Sequence, residues 1–180
     1  MKISSFLIAL SQWLPLFVFL LFARFYEMTD DLWRQAFYVS SSCAFLVTAL
    51  LIYKKIIIDR LRFGINLFLM TGAFAFLIES ESILRFFEAY NGVVFFGGIF
   101  VVGLFTTFFS RLGFIGLVVK NQQQLQKMSL LLLSATIVAL VWSFFMNDHG
   151  SVVSIVVPFT ALRLFRKNLI NALLQEKDEV

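Results

Sequence analysis

Apolar residues in this chain come in six long runs, at residues 3–22, 35–53, 63–78, 93–109, 128–146 and 152–165, and the charged residues fall almost entirely between them. An α-helix rises about 1.5 Å per residue, so a run of about 17 to 25 apolar residues crosses the roughly 30 Å hydrocarbon core of a bilayer. The pattern therefore predicts an all-α, polytopic membrane protein with about six transmembrane helices. The runs at 63–78 and 93–109, with Glu79, Glu81 and Glu88 between them, read as a membrane hairpin.

The runs differ in quality. The first follows Lys2 and resembles a secretory signal, but no small-x-small cleavage pattern follows it, so it reads as an uncleaved span. Pro15, preceded by Ser11, Gln12 and Trp13, falls near its middle and is a candidate helix breaker, which also leaves a re-entrant first segment open. In the second run Ala36, Ser40, Ala44 and Thr48 recur every four residues on one helical face. Small residues at that spacing let helix backbones approach, and packing drives helix association in lipid, so this is the leading packing or partner face. Gly92, Gly97, Gly98 and Gly103 give the fourth run similar openings, and Ala135, Ala139 and Ser143 share a face of the fifth. The third run has only 16 residues, near the lower limit for a span. Residues 110–127 are too interrupted to cross and read as an interfacial helix or a half-buried elbow. The sixth run is the shortest. It holds a second candidate breaker, Pro158, and reaches Leu169 only if Arg163 and Arg166 snorkel toward the interface.

Composition agrees. The chain is 60% hydrophobic and 14% charged, with 24 Phe, against about 45–50% and about 25% for soluble domains. Its mean hydropathy is +0.89. The pattern groups residues 1–170 as one transmembrane domain and residues 171–180 as a charged cytoplasmic tail. With six spans, only Arg24, Arg34 and Arg85 of the 15 Lys and Arg lie on one side, together with Glu27, Asp30, Asp31, Glu79, Glu81, Glu88 and Asp148. Lys and Arg in short loops set orientation, so both termini are expected in the cytoplasm. Tyr26 and Trp33 fit the membrane–water interface. The net charge of +4 is scattered over separate short segments rather than gathered with aromatics, which favours anionic lipid over nucleic acid as a partner.

Candidate chemistry is sparse. Cys43, the single cysteine, sits in an apolar run and reads as a small packing residue. His149, the single histidine, reads as an exposed loop residue beside Asp148. The outer acids read as solvated helix ends rather than a Ca²⁺ or Mg²⁺ site. No P-loop, dinucleotide fingerprint, HExxH or GxSxG occurs. Ion-coupled carriers keep ionisable groups inside their spans, whereas here none lies within five residues of a span centre and the main polar groups are Asn66, Thr71, Ser134 and Thr136. No catalytic, metal or cofactor-binding residue is predicted, and the chain reads as a non-enzyme without cofactor. The expected partners are membrane lipid, other membrane proteins and a second copy of the chain. A small permease or lipid facilitator, with a path between helices broken at Pro15 and Pro158, is the alternative.

Several of these stretches together resemble the intracellular septation protein A family of small bacterial inner-membrane proteins. They are Trp13-Leu14-Pro15-Leu16-Phe17-Val18-Phe19, the basic turn at 54–62, the acid-linked hairpin, Ser110-Arg111-Leu112-Gly113 after the fourth run, and Val141-Trp142-Ser143-Phe144-Phe145 closing the fifth. The resemblance covers roughly residues 12–146. It implies a multi-span protein of the bacterial cytoplasmic membrane, working in envelope maintenance or cell division through protein–protein contacts, with no catalytic residues to transfer.

Overall fold

The four-residue rhythm of small side chains in the second run sets how the first half of the chain packs. In the computed structural model, which describes residues 5–25, 30–119, 121–150 and 152–178, those residues lie on helix α2 (Asp30–Tyr53), flanked by α1 (Ser5–Phe25) and α3 (Arg60–Leu77). Lys2, Tyr26, Glu27, Lys120 and Ser151 lie outside the described residues. The remaining helices are α4 (Glu81–Ala89), α5 (Asn91–Phe109), α6 (Gln122–Phe145) and α7 (Val157–Asp178), making seven α-helices and no strand among the described residues. The chain divides into two compact units, Met1–Ala89 and Tyr90–Val180, and the division falls inside the stretch that reads as one hairpin in the sequence.

In the first unit Ala36, Ser40, Ala44 and Thr48 are all buried, and Thr48 Oγ1 accepts a 3.2 Å hydrogen bond from Asn66 Nδ2 of α3. That bond satisfies an amide whose burial alone would cost roughly 1–3 kcal/mol. Phe37 follows Ala36 and packs among Phe19, Phe68, Phe76 and Phe87 with ring centroids 4.9 to 6.3 Å away. The backbone of α3 approaches this ring so closely at Gly72 that a Cβ there would collide with Phe37 Cε1 and Cδ1.

Helix α3 begins on Asp59, whose carboxylate accepts from the N–H groups of Leu61 and Arg62, and ends where Glu79 takes a left-handed φ of 49°. The acids therefore do not extend the third helix, because the chain turns before them. It then forms α4, which the sequence pattern read only as an acidic turn. Leu84 and Phe87 are the more covered apolar residues of α4, and Phe87 joins the aromatic cluster. Glu81, Arg85 and Glu88 are exposed, and Arg85 reaches Glu81 at 3.1 Å. So exposed a pair contributes at most a few tenths of a kcal/mol.

In the second unit α6 packs against α5 and α7. A Cβ at Gly92 would strike Ser143 Oγ of α6, and one at Gly103 would lie 2.7 Å from Phe114 and 3.0 Å from Leu133. Asn121 caps α6, its side chain accepting from Gln124 N–H at 3.2 Å, so this helix starts six residues before the fifth apolar run. After the 3₁₀ turn Asn147–His149 and Gly150 at φ 82°, the chain makes a π-helical turn, Val152–Val156, before α7. In π register a carbonyl pairs with the N–H five residues on. For Val153 that residue is Pro158, which has no N–H, and Trp142 Nε1 of α6 donates to the Val153 carbonyl instead, at 3.0 Å.

Four helices are long and apolar enough to cross a membrane: Asp31–Tyr53, Arg60–Leu77, Asn91–Phe109 and Gln122–Phe145. Their outward residues are large and apolar, with Phe45, Leu46, Phe74, Phe105, Phe109 and Phe145 each more than half exposed. Within α1 the apolar stretch among described residues is Leu10–Phe22.

Candidate functional site

Two polar junctions punctuate this apolar fold, one in each unit. In the first, Gln12 of α1 is 7% exposed, and its Oε1 accepts the Asp59 backbone N–H at 3.0 Å. Asp59, besides capping α3, lies 3.9 Å from the Arg62 guanidinium, which in turn stacks 4.7 Å from the centre of the Trp13 ring. Cation–π contacts of this kind contribute about 0.5–1 kcal/mol when exposed and more when desolvated, as these side chains partly are. The junction fixes the height of α1 against the start of α3. Its groups are engaged with one another and with backbone, so its role is positional.

The second junction is the elbow between α5 and α6. Gly113 and Gly116 adopt left-handed φ values of 58° and 78°, turning the chain back so that Phe114 and Ile115 are fully buried. The Phe114 N–H donates to Ser129 Oγ of α6 at 3.1 Å. From α7, Arg166 Nη2 and Nε donate to the Ile115 carbonyl at 2.7 and 3.2 Å. A charged donor on a partly buried carbonyl is among the stronger hydrogen bonds, about 1.5–3 kcal/mol. It joins residues 51 positions apart. Of the two readings of residues 110–127, the elbow is the one observed, and its core is a pair of glycine turns rather than a helix.

Beside the elbow lies a cavity of about 240 Å³ whose polar lining is Thr107, Ser110, Arg111, Gln122 and Gln126, with Phe108 and Phe109 also lining it. The Gln122 side chain donates to the Arg111 carbonyl at 3.1 Å, which leaves the exposed Arg111 guanidinium outside that bond.

The residues singled out in the sequence are distributed as follows. Ala36, Ser40, Ala44 and Thr48 are covered, as is Gly103, whereas Gly97 and Gly98 are only half-buried and no heavy atom lies within 4 Å of where a Gly97 Cβ would stand. Pro15 is fully buried inside α1, which is continuous from Ser5 to Phe25, and Pro158 is the second residue of α7. There a proline's fixed φ is compatible with a helix start. Cys43 is half-buried, and His149 and Asp148 are exposed in the 3₁₀ turn. Among the described residues no group of three or more His, Cys, Asp and Glu gathers to hold a metal ion. The Gln12–Asp59 link and the Ser129 acceptor were not singled out in the sequence. Their signals are a lone amide in the first run and two glycines three residues apart in an otherwise apolar connection.

The fold and its apolar exterior are those of a helical membrane protein. No protein-family profile, curated protein or solved structure matches the chain.

Proposed function

We propose that the chain crosses a bacterial cytoplasmic membrane six times, through α1, α2, α3, α5, α6 and the run made by the π turn and the first half of α7, with both termini cytoplasmic. In this reading it works without catalysis, by contact with other membrane proteins in envelope maintenance or cell division. The asymmetry of Lys and Arg supports the orientation. The Arg166 contact with the elbow supports the sixth crossing, because it brings α7 back to the end of the second unit from which α6 departs.

The observation that carries the contact reading is the open space at Gly97. Ala36, Ser40, Ala44 and Thr48 of α2 and Gly92 and Gly103 of α5 are covered from within the chain. Gly97 is not, and Val101, Leu104 and Phe108, one, two and three turns further along the same side of α5, are exposed. A glycine notch in a row of larger apolar side chains accepts a knob from another helix, the close approach that drives association in lipid.

A photo-cross-linker at Val101 in intact membranes is expected to capture a reproducible protein neighbour, and Gly97→Leu to abolish the capture without altering membrane insertion. The mass of the adduct separates a second copy from another protein. Capture of lipid alone, or a neighbour unaffected by Gly97→Leu, refutes the proposal.

A further inference from the structure

The elbow cavity and the charge around it point to a ligand independently of any protein partner at Gly97. Residues 90–147 contain no Asp or Glu, and neither do residues 149–175. The cations in these stretches are Arg111, Lys120, Lys127, Arg163, Arg166 and Lys167. The bond from Arg166 to the Ile115 carbonyl places the basic stretch of α7 at the elbow, beside the basic residues of the α5–α6 connection. The one acid within residues 90–175, Asp148, sits in the 3₁₀ turn after the far end of α6. Arg111, Lys127, Arg163 and Lys167 are exposed. Among the described residues one end of the second unit thus carries Arg111, Lys127, Arg163, Arg166 and Lys167, with the first acid of the tail only at Glu176.

The cavity lining combines two chemistries. Its polar lining residues are Thr107, Ser110, Gln122, Gln126 and Arg111, the last with an exposed side chain. Its lining also includes Phe108, 56% exposed, and Phe109, 83% exposed, at the last turn of a helix apolar enough to cross a membrane. A volume of about 240 Å³ is below the roughly 300–1,000 Å³ that encloses a drug-sized ligand. It suits a headgroup whose chains remain outside against the phenyl rings. We propose that this cavity binds the phosphodiester headgroup of an anionic phospholipid, with Arg111 contacting the phosphate, Lys127 adding to the local potential, and Phe108 and Phe109 flanking the acyl chains. The aromatic lining selects a lipid over free phosphate. The absence of acid supplies the electrostatic preference over zwitterionic lipid, at about 1 kcal/mol per Lys or Arg near the headgroups.

The test uses the full chain exchanged into vesicles containing phosphatidylglycerol and phosphatidylcholine in equal amounts, with lipid adducts then counted by native mass spectrometry. Wild type is expected to retain phosphatidylglycerol selectively, and excess inorganic phosphate to leave the adduct in place. Removing two charges with Arg111→Gln and Lys127→Gln is expected to weaken retention about 30-fold, from about 1 kcal/mol per residue and about 1.4 kcal/mol per tenfold. Arg111→Lys restores most of it in the Lys127 background. Lys54→Gln with Lys55→Gln, an equal loss of charge in the first unit, leaves it unchanged. Both double variants replace exposed side chains, and their melting temperatures are expected to match wild type. An equal loss in the two double variants, no selectivity in wild type, or displacement by inorganic phosphate overturns the proposal.

Discussion

Replacing Gly113 by Ala tests whether the elbow is held by the geometry described. Two costs add. A non-glycine residue at φ 58° pays about 1–2 kcal/mol for the left-handed conformation. The new Cβ also collides with Ser129 Oγ and stands 3.2 Å from Leu125 Cγ, so Ser129 must rotate away and the buried Phe114 N–H loses its acceptor. An unsatisfied buried donor costs about 1–3 kcal/mol, giving about 2–5 kcal/mol in total. Ser129→Ala alone forfeits the same hydrogen bond, at about 1–3 kcal/mol, but leaves room for a Cβ at position 113. The double variant therefore loses the bond once rather than twice, and the two changes are expected to be sub-additive by about 1–3 kcal/mol. Equilibrium unfolding of the four proteins in mixed detergent micelles measures the cycle, with Gly97→Ala, which meets open space, as the control. Additivity within about 0.5 kcal/mol, or a Gly113→Ala no worse than Gly97→Ala, refutes the account of the elbow.

Two further outcomes follow from the packing. Trp142→Phe leaves the Val153 carbonyl without its indole donor, whereas Pro158→Ala returns a backbone N–H that can reach it. The double variant is expected to be more stable than Trp142→Phe alone, and the same unfolding assay reads the sign. In the first unit, Gly72→Ala drives a methyl into the Phe37 ring and is expected to destabilise by about 1–3 kcal/mol, the usual range for overpacking. Loss of near-ultraviolet circular dichroism from the aromatic cluster is the accompanying signal.

How much of this was readable in the sequence depends on whether a feature is set by local spacing. The α2 stripe is a matter of i, i+4 repetition, and the structure buries all four of its residues. The four helices long enough to cross coincide with apolar runs because both follow from length and hydropathy. Helix α4 has no clear signature in the sequence because its nine residues are few for a periodic signal and its acids suit a turn equally well, although Leu84 and Phe87 are spaced to share one face. The elbow was legible as an interruption but not as a structure, since nothing in Gly113 or Gly116 tells which turn they make until Ser129 and Arg166 arrive from other helices. Pro15 shows the converse. A proline suggests a break, yet α1 continues through it, as membrane helices do when neighbouring groups satisfy the freed carbonyl. The cavity beside the elbow has no local signature at all, being lined from both sides of a connection.

The brevity of α3 acts on the surrounding lipid as well as on the protein. Its uncharged stretch, residues 63–78, is about 24 Å long at about 1.5 Å per residue, against a hydrocarbon core of about 30 Å. Arg62 at one end is tethered by Asp59 and Trp13, and at the other the chain turns at Glu79, so neither end lengthens the apolar stretch. In the six-span reading proposed above, a bilayer of ordinary thickness is expected to thin by several ångströms beside this helix, at a fraction of a kcal/mol per ångström. Other short-spanned proteins are cheapest to accommodate where the bilayer is already thin. In that reading the first unit is expected to attract such neighbours through the elasticity of the membrane, before any side chain touches another.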